Sequence, residues 1–455
     1  MQKVLIANRG EIAVRIIQAC HDLGLQTVAV YSQADAEALH VLHADEAICI
    51  GEPPLLKSYL KIPNILSACE VTGADAIHPG YGFLSENANF ASICESCGVN
   101  FIGPSSQAIA LLGDKAGAKA TAKNVKCPVI PGSKGVILDV KEALKEAKQI
   151  GFPIFIKASA GGGGKGIRIA YSVEEFVRQF SAAKTEAETI FNNADVYLEK
   201  MIVNPRHIEI QVLGDKYGNY VHLGERDCTV QRRRQKLIEE APSPLLNPSL
   251  RKKMGEAAVE IVKAAHYHSV GTVEFLLDEN KDFYFMEVNT RIQVEHTITE
   301  ELTNIDLVKE QIKVAMGEKL KIKQKDICFD GHVIQCRINA ENPANHFTPC
   351  PGILEYYIPP VGPHVRIDSA CYSGYRISPY YDSMIAKLIV KGKDRKEAIA
   401  VAKRALKEFH IGGIDSTIAF HLFMLENKCF LNNEYFINYI DLLIAEGCNF
   451  TKPKE

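Results

Sequence analysis

The sequence predicts an α/β protein of several domains: an N-terminal doubly wound parallel sheet, a central block of strands around a glycine-rich segment, and a C-terminal α+β region. Three observations predict it. Roughly the first hundred residues alternate short apolar strands with helical spacing of apolar residues, the order that makes a parallel sheet with helices on both faces. A glycine run then sits between two strand-like segments. Beyond about residue 330 a strand, a Pro/Gly-rich stretch, a second strand and a helix follow one another. The length of 455 residues is too great for one ordinary domain, and 47% hydrophobic with 24% charged residues is the balance of a soluble protein with real cores. A net charge of −3 provides no global field toward nucleic acid or acidic membranes. No apolar run approaches the length that spans a bilayer.

In order, Lys3–Ala7 reads as a strand, Glu11–Cys20 as a helix and Thr27–Tyr31 as a second strand. Further strands are expected at Ala47–Ile50, Ala76–His78 and Phe101–Ile102. The first turn, Asn8-Arg9-Gly10-Glu11, lacks G-x-G-x-x-G, which argues against a dinucleotide cofactor there. Met1 to Gly10 runs directly into a strand without the charged and apolar regions of a signal peptide. The thirteen cysteines are odd in number and scattered, which favours reduced, mostly buried thiols. Cys94 and Cys97 have C-x-x-C spacing, but no second pair accompanies them. They are read as one face of a helix after Asn87.

In the central block, Ile154–Lys157 leads into Gly161-Gly162-Gly163-Gly164-Lys165-Gly166, and Ile167–Ala170 alternates after it. Glycine N–H groups can close over phosphate oxygens. Lys165 is followed by Gly166, so the Ser or Thr of a Walker A loop is missing. Strand, glycines, strand describes a hairpin lid over a nucleotide, weighed against a flexible surface turn.

Phe283 to His296 alternates strictly, which places Glu287, Asn289, Arg291, Gln293 and Glu295 on one face of an extended strand. Thr272–Leu276 reads as its partner; if Asp278 pairs with Phe283, Glu274 lies opposite Glu287. Facing carboxylates repel unless a cation lies between them, and oxygen ligands of this kind suit magnesium shared with a nucleotide. In a straight strand Glu295 would lie about 26 Å beyond Glu287 at ~3.3 Å per residue, too far to share that ion. The competing reading is a half-buried strand with a solvated face. Gln231 to Lys236, with three arginines between, is the densest cationic cluster and fits a small anionic substrate better than nucleic acid. Past the central block, His332–Ile338 and Met384–Val390 read as strands and Arg395–Phe409 as a helix, with Pro349 to Pro363 between the strands. Lone histidines such as His421 read as structural.

Together, IANRGEIA (Ile6–Ala13), HPGYGFLSEN (His78–Asn87), IKASAGGGGKG (Ile156–Gly166), EIQVLGD (Glu209–Asp215), NTRIQVEH (Asn289–His296), CRINAE (Cys336–Glu341) and PYYDSMIAKL (Pro379–Leu388) make a specific pattern. On it the chain resembles, essentially end to end, the biotin carboxylases of the ATP-grasp superfamily, as found in bacterial acetyl-CoA carboxylase. The resemblance implies a Rossmann-like domain over 1–114, an ATP-grasp domain over 115–325 with a glycine-rich lid over about 130–203, and a C-terminal α+β domain over 330–447. It implies ATP contacts from Lys115, Lys157, Gly161–Gly164, Lys165 and Gly166, an adenine hinge at Glu199, Lys200, Met201 and Ile202, and nucleotide contacts from His207, Gln231 and Arg234. Glu274, Glu287 and Asn289 would hold magnesium (or manganese), in agreement with the hairpin argument. Lys236, Arg291, Gln293 and, through its backbone, Val294 would form a bicarbonate pocket. Glu295 would be the general base and Arg337 would stabilise the biotin enolate.

Two positions depart from the family pattern: Arg234 replaces a usual histidine, and Thr297 replaces a usual proline, where little consequence is expected. The chain has no Met-Lys-Met context for biotin attachment, so the resemblance implies a separate biotin carboxyl carrier protein, a carboxyltransferase, a homodimer and a cytoplasmic location. A carboxylase component of a pyruvate or propionyl-CoA system would look nearly identical. Another ATP-grasp ligase would lack NTRIQVEH and CRINAE, and a non-catalytic homologue would have lost Glu274, Glu287, Glu295 or Lys236.

Overall fold

A computed structural model of the protein describes residues 1–133, 135–159, 166–191 and 193–450. Gly161–Gly164 and Lys165 therefore lie outside the described residues. The chain packs as two compact units. One comprises Met1–Lys126, Arg206–Phe275 and Glu287–Glu455; the other comprises Cys127–Pro205 and Leu276–Met286. Among the described residues no helix is long and apolar enough to cross a membrane.

The larger unit opens with β1 (Lys3–Ile6), α1 (Gly10–Asp22), β2 (Gln26–Ser32), α2 (Leu39–His43), β3 (Glu46–Gly51), α3 (Ile62–Thr72), β4 (Ala76–His78), α4 (Ala88–Ser96) and β5 (Asn100–Phe101). The strands form a parallel sheet in the order β3-β2-β1-β4-β5, the doubly wound arrangement the sequence predicts. Period-two alternation sends Val4 and Ile6 into a core with Ile12 and Ile16 of α1, and Leu5 into one with Ile65 of α3 and Phe90 of α4. The switch point between β1 and β4 is latched by Asn8, whose Nδ2 donates to the carbonyls of Pro79 (2.7 Å) and Tyr81 (2.8 Å). Gly80 there has φ +63° and lies so close to Asn8 that a Cβ would come within 2.9 Å of its amide nitrogen. Helix α4 ends at Ser96, and Cys97 is its C-cap. Cys94 is buried and Cys97 exposed, so the two do not share a helix face as expected.

After α5 (Ser106–Gly113) and α6 (Lys115–Asn124) the chain enters the smaller unit. There α7 (Val140–Ile150), β6 (Ile154–Ala158), β7 (Ile167–Ala170), α8 (Val173–Phe191) and β8 (Val196–Lys200) follow in order. β6 and β7 pair antiparallel, with Lys157 opposite Ile167, and β8 lies on the other edge of β6. These are the two strands read from the sequence on either side of the glycines. Ile154, Ile156 and Ala158 face inward against Phe176, Phe180, Ala183 and Ala187, which lie along one side of α8 at helical spacing.

Back in the larger unit, an eight-stranded sheet has the order β13-β12-β9-β10-β11-β14-β19-β18. Its members are β9 (Arg206–Gly214), β10 (Tyr220–Arg232), β11 (Gln235–Ala241), β12 (Ser269–Leu277), β13 (Phe283–Asn289), β14 (His332–Asn339), β18 (Val365–Ser369) and β19 (Met384–Gly392). The short β15 (Glu341–Asn342) pairs with β16 (Thr348–Pro349), and β17 (Tyr356–Ile358) with β20 (His410–Gly412). The strands after residue 330 thus extend the sheet begun by β9. Helix α9 (Pro248–Ala264) starts with Asn247 as N-cap and Pro248 in its first turn. α10 (His296–Thr303) packs on one face of the sheet through Ile298 and Leu302 against Val333 and Ile389. α11 (Leu307–Ala315) follows. α12 (Arg395–Glu408) covers the other face, setting Ala398, Ala402, Ala405 and Leu406 on Ile334, Cys336, Leu388 and Val390.

One carboxylate ties this layer together. Glu240 of β11 accepts from His332 (2.9 Å) of β14, Arg395 Nε (2.7 Å) of α12 and the Tyr435 hydroxyl (2.6 Å). Burial acts to raise its pKa, but these donors hold it far below the ordinary carboxylate range. A depressed folded pKa means the stabilisation is complete above the unfolded value of about 4.3 and is lost as pH falls toward the folded value. Glu240→Gln is expected to cost about 3–5 kcal/mol at neutral pH by stranding Arg395. In denaturant titrations the gap from wild type should narrow below about pH 4; a gap independent of pH would contradict this account.

Candidate active site

The face of the sheet beneath α10 carries charge where an apolar interior would be expected. On β9, His207, Glu209 and Gln211 alternate with Ile208, Ile210 and Val212, all buried. Arg226 of β10 pairs in register with Glu209, and Glu239 of β11 with Gln335 of β14. Arg226 is completely buried and all five of its N–H groups have partners. Nε donates to Glu209 (2.6 Å), Nη1 to Gln211 (2.5 Å) and Thr299 (3.0 Å), and Nη2 to Thr272 (3.1 Å) and Gln293 (2.8 Å).

Lys236 is the second cation. Its Nζ lies 2.5 Å from Glu209, 3.1 Å from Glu274 and 2.6 Å from Glu295. Burial alone would lower the pKa of this ammonium, but the three carboxylates hold it well above its ordinary value. Reciprocally, Lys236 keeps Glu209 and Glu274 well below theirs, against the opposing effect of their own burial. The side chain reaches this face because of a bulge. Val230 pairs with Ile238 but Gln231 pairs with Lys236, so one extra residue, Leu237, enters β11 and joins Ile238 in the opposite core. The run Gln231 to Lys236 is therefore a hairpin rather than one cationic pocket. Arg233 and Arg234 form its turn at φ +47° and +69°, exposed, while Gln231 is buried and bonds the Cys228 carbonyl. Arg234 is not brought to the carboxylates.

The expected single strand from Phe283 to His296 is a strand only as far as Asn289. Asp278 donates its N–H to the Asp282 carbonyl (2.9 Å), not to Phe283, so the expected register does not form at the loop. Glu274 still acts on Glu287: burial and the Glu274 charge together raise the Glu287 pKa. Beyond Asn289 the backbone folds back, and Glu295 becomes the N-cap residue of α10. Glu295 and Glu274 thus meet at one ammonium, which overturns the separation expected along a straight strand. The reversal is held at each step. Arg291 donates to Glu86 (2.9 Å) and to Asn289 Oδ1 (3.0 Å), Gln293 Nε2 to Glu274 (2.9 Å), and the fully buried Lys387 to the Val294 carbonyl (3.2 Å). These side-chain anchors compensate the chain for leaving the ladder.

Arg337 of β14 closes the site. Its Nε donates to Glu239 (2.6 Å) and its Nη2 to Glu295 (2.9 Å). His207 lies 3.3 Å from Glu274 and 3.5 Å from Glu209; burial opposes its protonation, but the Glu274 charge prevails and raises its pKa to about 9. Lys115, at the start of α6, is 86% exposed with its Nζ 3.9 Å from Glu287. Thr297 is bonded rather than idle: its hydroxyl donates to Gln335 Oε1. In the smaller unit Lys157 is ion-paired with Glu199, and Lys200 Nζ donates to the carbonyls of Gly151 (2.9 Å) and Phe152 (2.8 Å). Met201 N–H bonds the Pro153 carbonyl (3.0 Å), Ile202 follows half-buried, and Gly166 takes φ +73° while its carbonyl accepts from Ala158 N–H (2.8 Å).

Glu274, Glu287 and Asn289 are chemically fit to hold a divalent cation. Burial and then the charge of Glu274 raise the Glu287 pKa, a repulsion that a dication would relieve, and Asn289 adds an amide oxygen beside them. Sequence reasoning did not single out Arg226, Glu209 or Glu239. The available signal was Glu209 and Gln211 alternating with Ile208, Ile210 and Val212; Arg226 and Glu239 sit among other polar residues and carried none.

A cluster of carboxylates around buried cations suits the binding of a small anion, and comparison with known proteins defines the class. Residues 1–109 match the family "Biotin carboxylase, N-terminal domain", 114–323 "Carbamoyl-phosphate synthase L chain, ATP binding domain", and 335–442 "Biotin carboxylase C-terminal domain". The chain is 57% identical to biotin carboxylase 1 of Bacillus subtilis over 98% of its own length and 100% of that protein's. It is 52% identical to a pyruvate carboxylase component of Methanothermobacter thermautotrophicus, over 96% of this chain and 89% of that one. The biotin carboxylase domain dimer of Hydrogenobacter thermophilus 2-oxoglutarate carboxylase, solved with MgADP, ADP and bicarbonate, superposes with a TM-score of 0.88 at 49% identity, covering 100% and 99% of the two chains. The chain belongs to the biotin carboxylase family of ATP-dependent carboxylases.

Arg226→Lys is expected to destabilise the protein by about 3–5 kcal/mol, because three rotating donors cannot serve acceptors arranged around a planar fork. Chemical denaturation checks it; a cost near zero would show that the carboxylates do not depend on this guanidinium.

Proposed function

We propose that the chain carboxylates biotin, carried on a separate protein, as the first half-reaction of an acetyl-CoA carboxylase in the cytoplasm. The observation that carries the reading is the arrangement of Glu295 between Lys236 and Arg337, a carboxylate base beside two cations. Lys236, Arg291, Gln293 and the Val294 backbone bind bicarbonate. When the anion enters, Lys236 and Arg337 turn part of their charge toward it, and the proton affinity of Glu295 rises. Glu295 then takes the bicarbonate proton, and the oxyanion attacks the γ-phosphate of ATP, giving carboxyphosphate and ADP. Carboxyphosphate decomposes to CO₂ and phosphate, the phosphate takes the ureido proton of biotin, and the resulting enolate attacks CO₂. Arg337 holds the enolate charge.

Lys115, Lys157, His207, Gln231 and the glycines through Gly166 contact ATP, with Glu199 to Ile202 as the adenine hinge; Arg234 contributes at most an outer contact. Glu274, Glu287 and Asn289 hold magnesium, or manganese, which when bound neutralises phosphate charge. We assign the chain a homodimeric state, as in the Hydrogenobacter dimer, with a biotin carboxyl carrier protein and a carboxyltransferase as partners. The similarity to the Methanothermobacter pyruvate carboxylase component favours a second reading, in which the carboxyl group passes to a keto acid.

ATP hydrolysis with bicarbonate is expected to be slow alone and faster with free biotin. Turnover indifferent to biotin, or stimulated by an amine instead, would sink the reading. Adding purified carrier and carboxyltransferase with acetyl-CoA or pyruvate separates the two destinations. Glu295→Gln is expected to lower biotin-dependent turnover by at least about a hundredfold, within the usual ~10²–10⁴ worth of a general base, while magnesium–ATP binding stays near normal. Glu287→Gln should weaken magnesium dependence and nucleotide binding together. Calorimetry on both variants decides this division of labour, which fails if they lose nucleotide affinity equally.

A further inference from the structure

Behind Arg337 stands a second buried carboxylate that neither the bicarbonate pocket nor the metal set uses. Glu239 is 0% exposed. Its Oε1 accepts from Arg337 Nε (2.6 Å) and its Oε2 from Gln335 Nε2 (2.9 Å). The Gln335 oxygen in turn accepts from the Thr297 hydroxyl, so the amide is held at both ends. The Arg337 main chain is pinned as well, its carbonyl accepting from Thr417 (2.9 Å) and His421 (2.7 Å). Glu239 Oε1 faces both Nε and Nη2 (2.6 Å each) and Nη2 also gives to Glu295, whereas Nη1 makes no hydrogen bond with any described residue and is not a buried orphan. It is the edge left for a ligand.

We propose that Glu239, oriented by Gln335 and Thr297, is a positioning residue that divides the Arg337 guanidinium between two carboxylates and keeps Nη1 free for the biotin oxygen. The role rests on the carboxylation reading above. Without Glu239 the guanidinium would settle on Glu295 through two parallel bonds, the favoured geometry for such a pair. That would withdraw the enolate-binding edge and quench the base together. Thr297, in the first turn of α10 two residues after Glu295, makes the relay report on the same turn that places the base.

The test uses the full chain and four variants, Glu239→Leu, Glu239→Gln, Thr297→Val and Thr297→Ser, with free biotin titrated at saturating MgATP and bicarbonate. MgATP affinity is measured in parallel by calorimetry. Glu239→Leu should lower kcat/KM for biotin by about tenfold to a hundredfold, the worth of a hydrogen bond to a charged group, with MgATP affinity changed less than about threefold. Glu239→Gln keeps an oxygen for Arg337 and should recover most of the loss. Thr297→Val should lower kcat/KM for biotin by about fivefold and Thr297→Ser restore it, the worth of one neutral hydrogen bond. The proposal is overturned if folded Glu239→Leu stays within about twofold of wild type, or if its MgATP affinity falls in proportion, as a merely structural role predicts. Should Glu239→Leu fail to fold, the threonine pair decides: equal values for wild type, Val and Ser overturn the relay. A wild type without biotin-stimulated turnover overturns the carboxylation reading itself, a result distinct from any variant-specific one.

Discussion

Charge balance beneath α10 is the constraint on which the rest of the larger unit depends. Glu209, Glu239, Glu274 and Glu295 are each no more than 4% exposed, and ionised carboxylates at such sites carry a desolvation cost of several kcal/mol apiece. Arg226, Lys236 and Arg337 offset it only because nearly every lone pair and N–H in the group is matched. Such an arrangement adds little net stability over an apolar core, but it severely penalises any other register of β9, β10, β11 and β14. The electrostatics thereby select one sheet out of the several that the apolar pattern would tolerate.

The same cations define what the site can do. A carboxylate flanked by two fixed cations is a weak base until an anion shares them, so proton affinity becomes conditional on substrate. Burial and the Glu274 charge raise the Glu287 pKa, a repulsion that additional positive charge would relieve. One cluster thus holds carboxylates neutralised by Lys236 and, beside Glu274, a carboxylate that is not.

Much of the fold was legible in the sequence because its signals are local. The β1-to-β5 order, the hairpin around the glycines and the capped helix α12 follow from apolar periodicity and turn residues within a few positions. The continuation of the β9 sheet into β14, β19 and β18 was not legible, since strand pairing joins residues far apart in the chain and leaves no local trace. Alternation from Phe283 to His296 was misleading for a related reason. It reports which residues are polar, and a chain that folds back can place those same residues on one cluster without being a strand.

The sequence by itself determined the chemical inventory: carboxylates at Glu274, Glu287 and Glu295, cations at Lys236, Arg291 and Arg337, and a glycine hairpin, in an order specific enough to indicate the family. Tertiary structure decided which of them meet. The bulge at Leu237 turns Lys236 to the charged face, and the reversal after Asn289 brings Glu295 to Glu274. Burial in register brings in Arg226, Glu209 and Glu239, which sequence reasoning passed over. The physical reason is that composition and spacing constrain the chain along its own length, whereas desolvation and Coulomb interaction act through space. A buried charge becomes meaningful only when its partner, tens of residues away, has been folded against it.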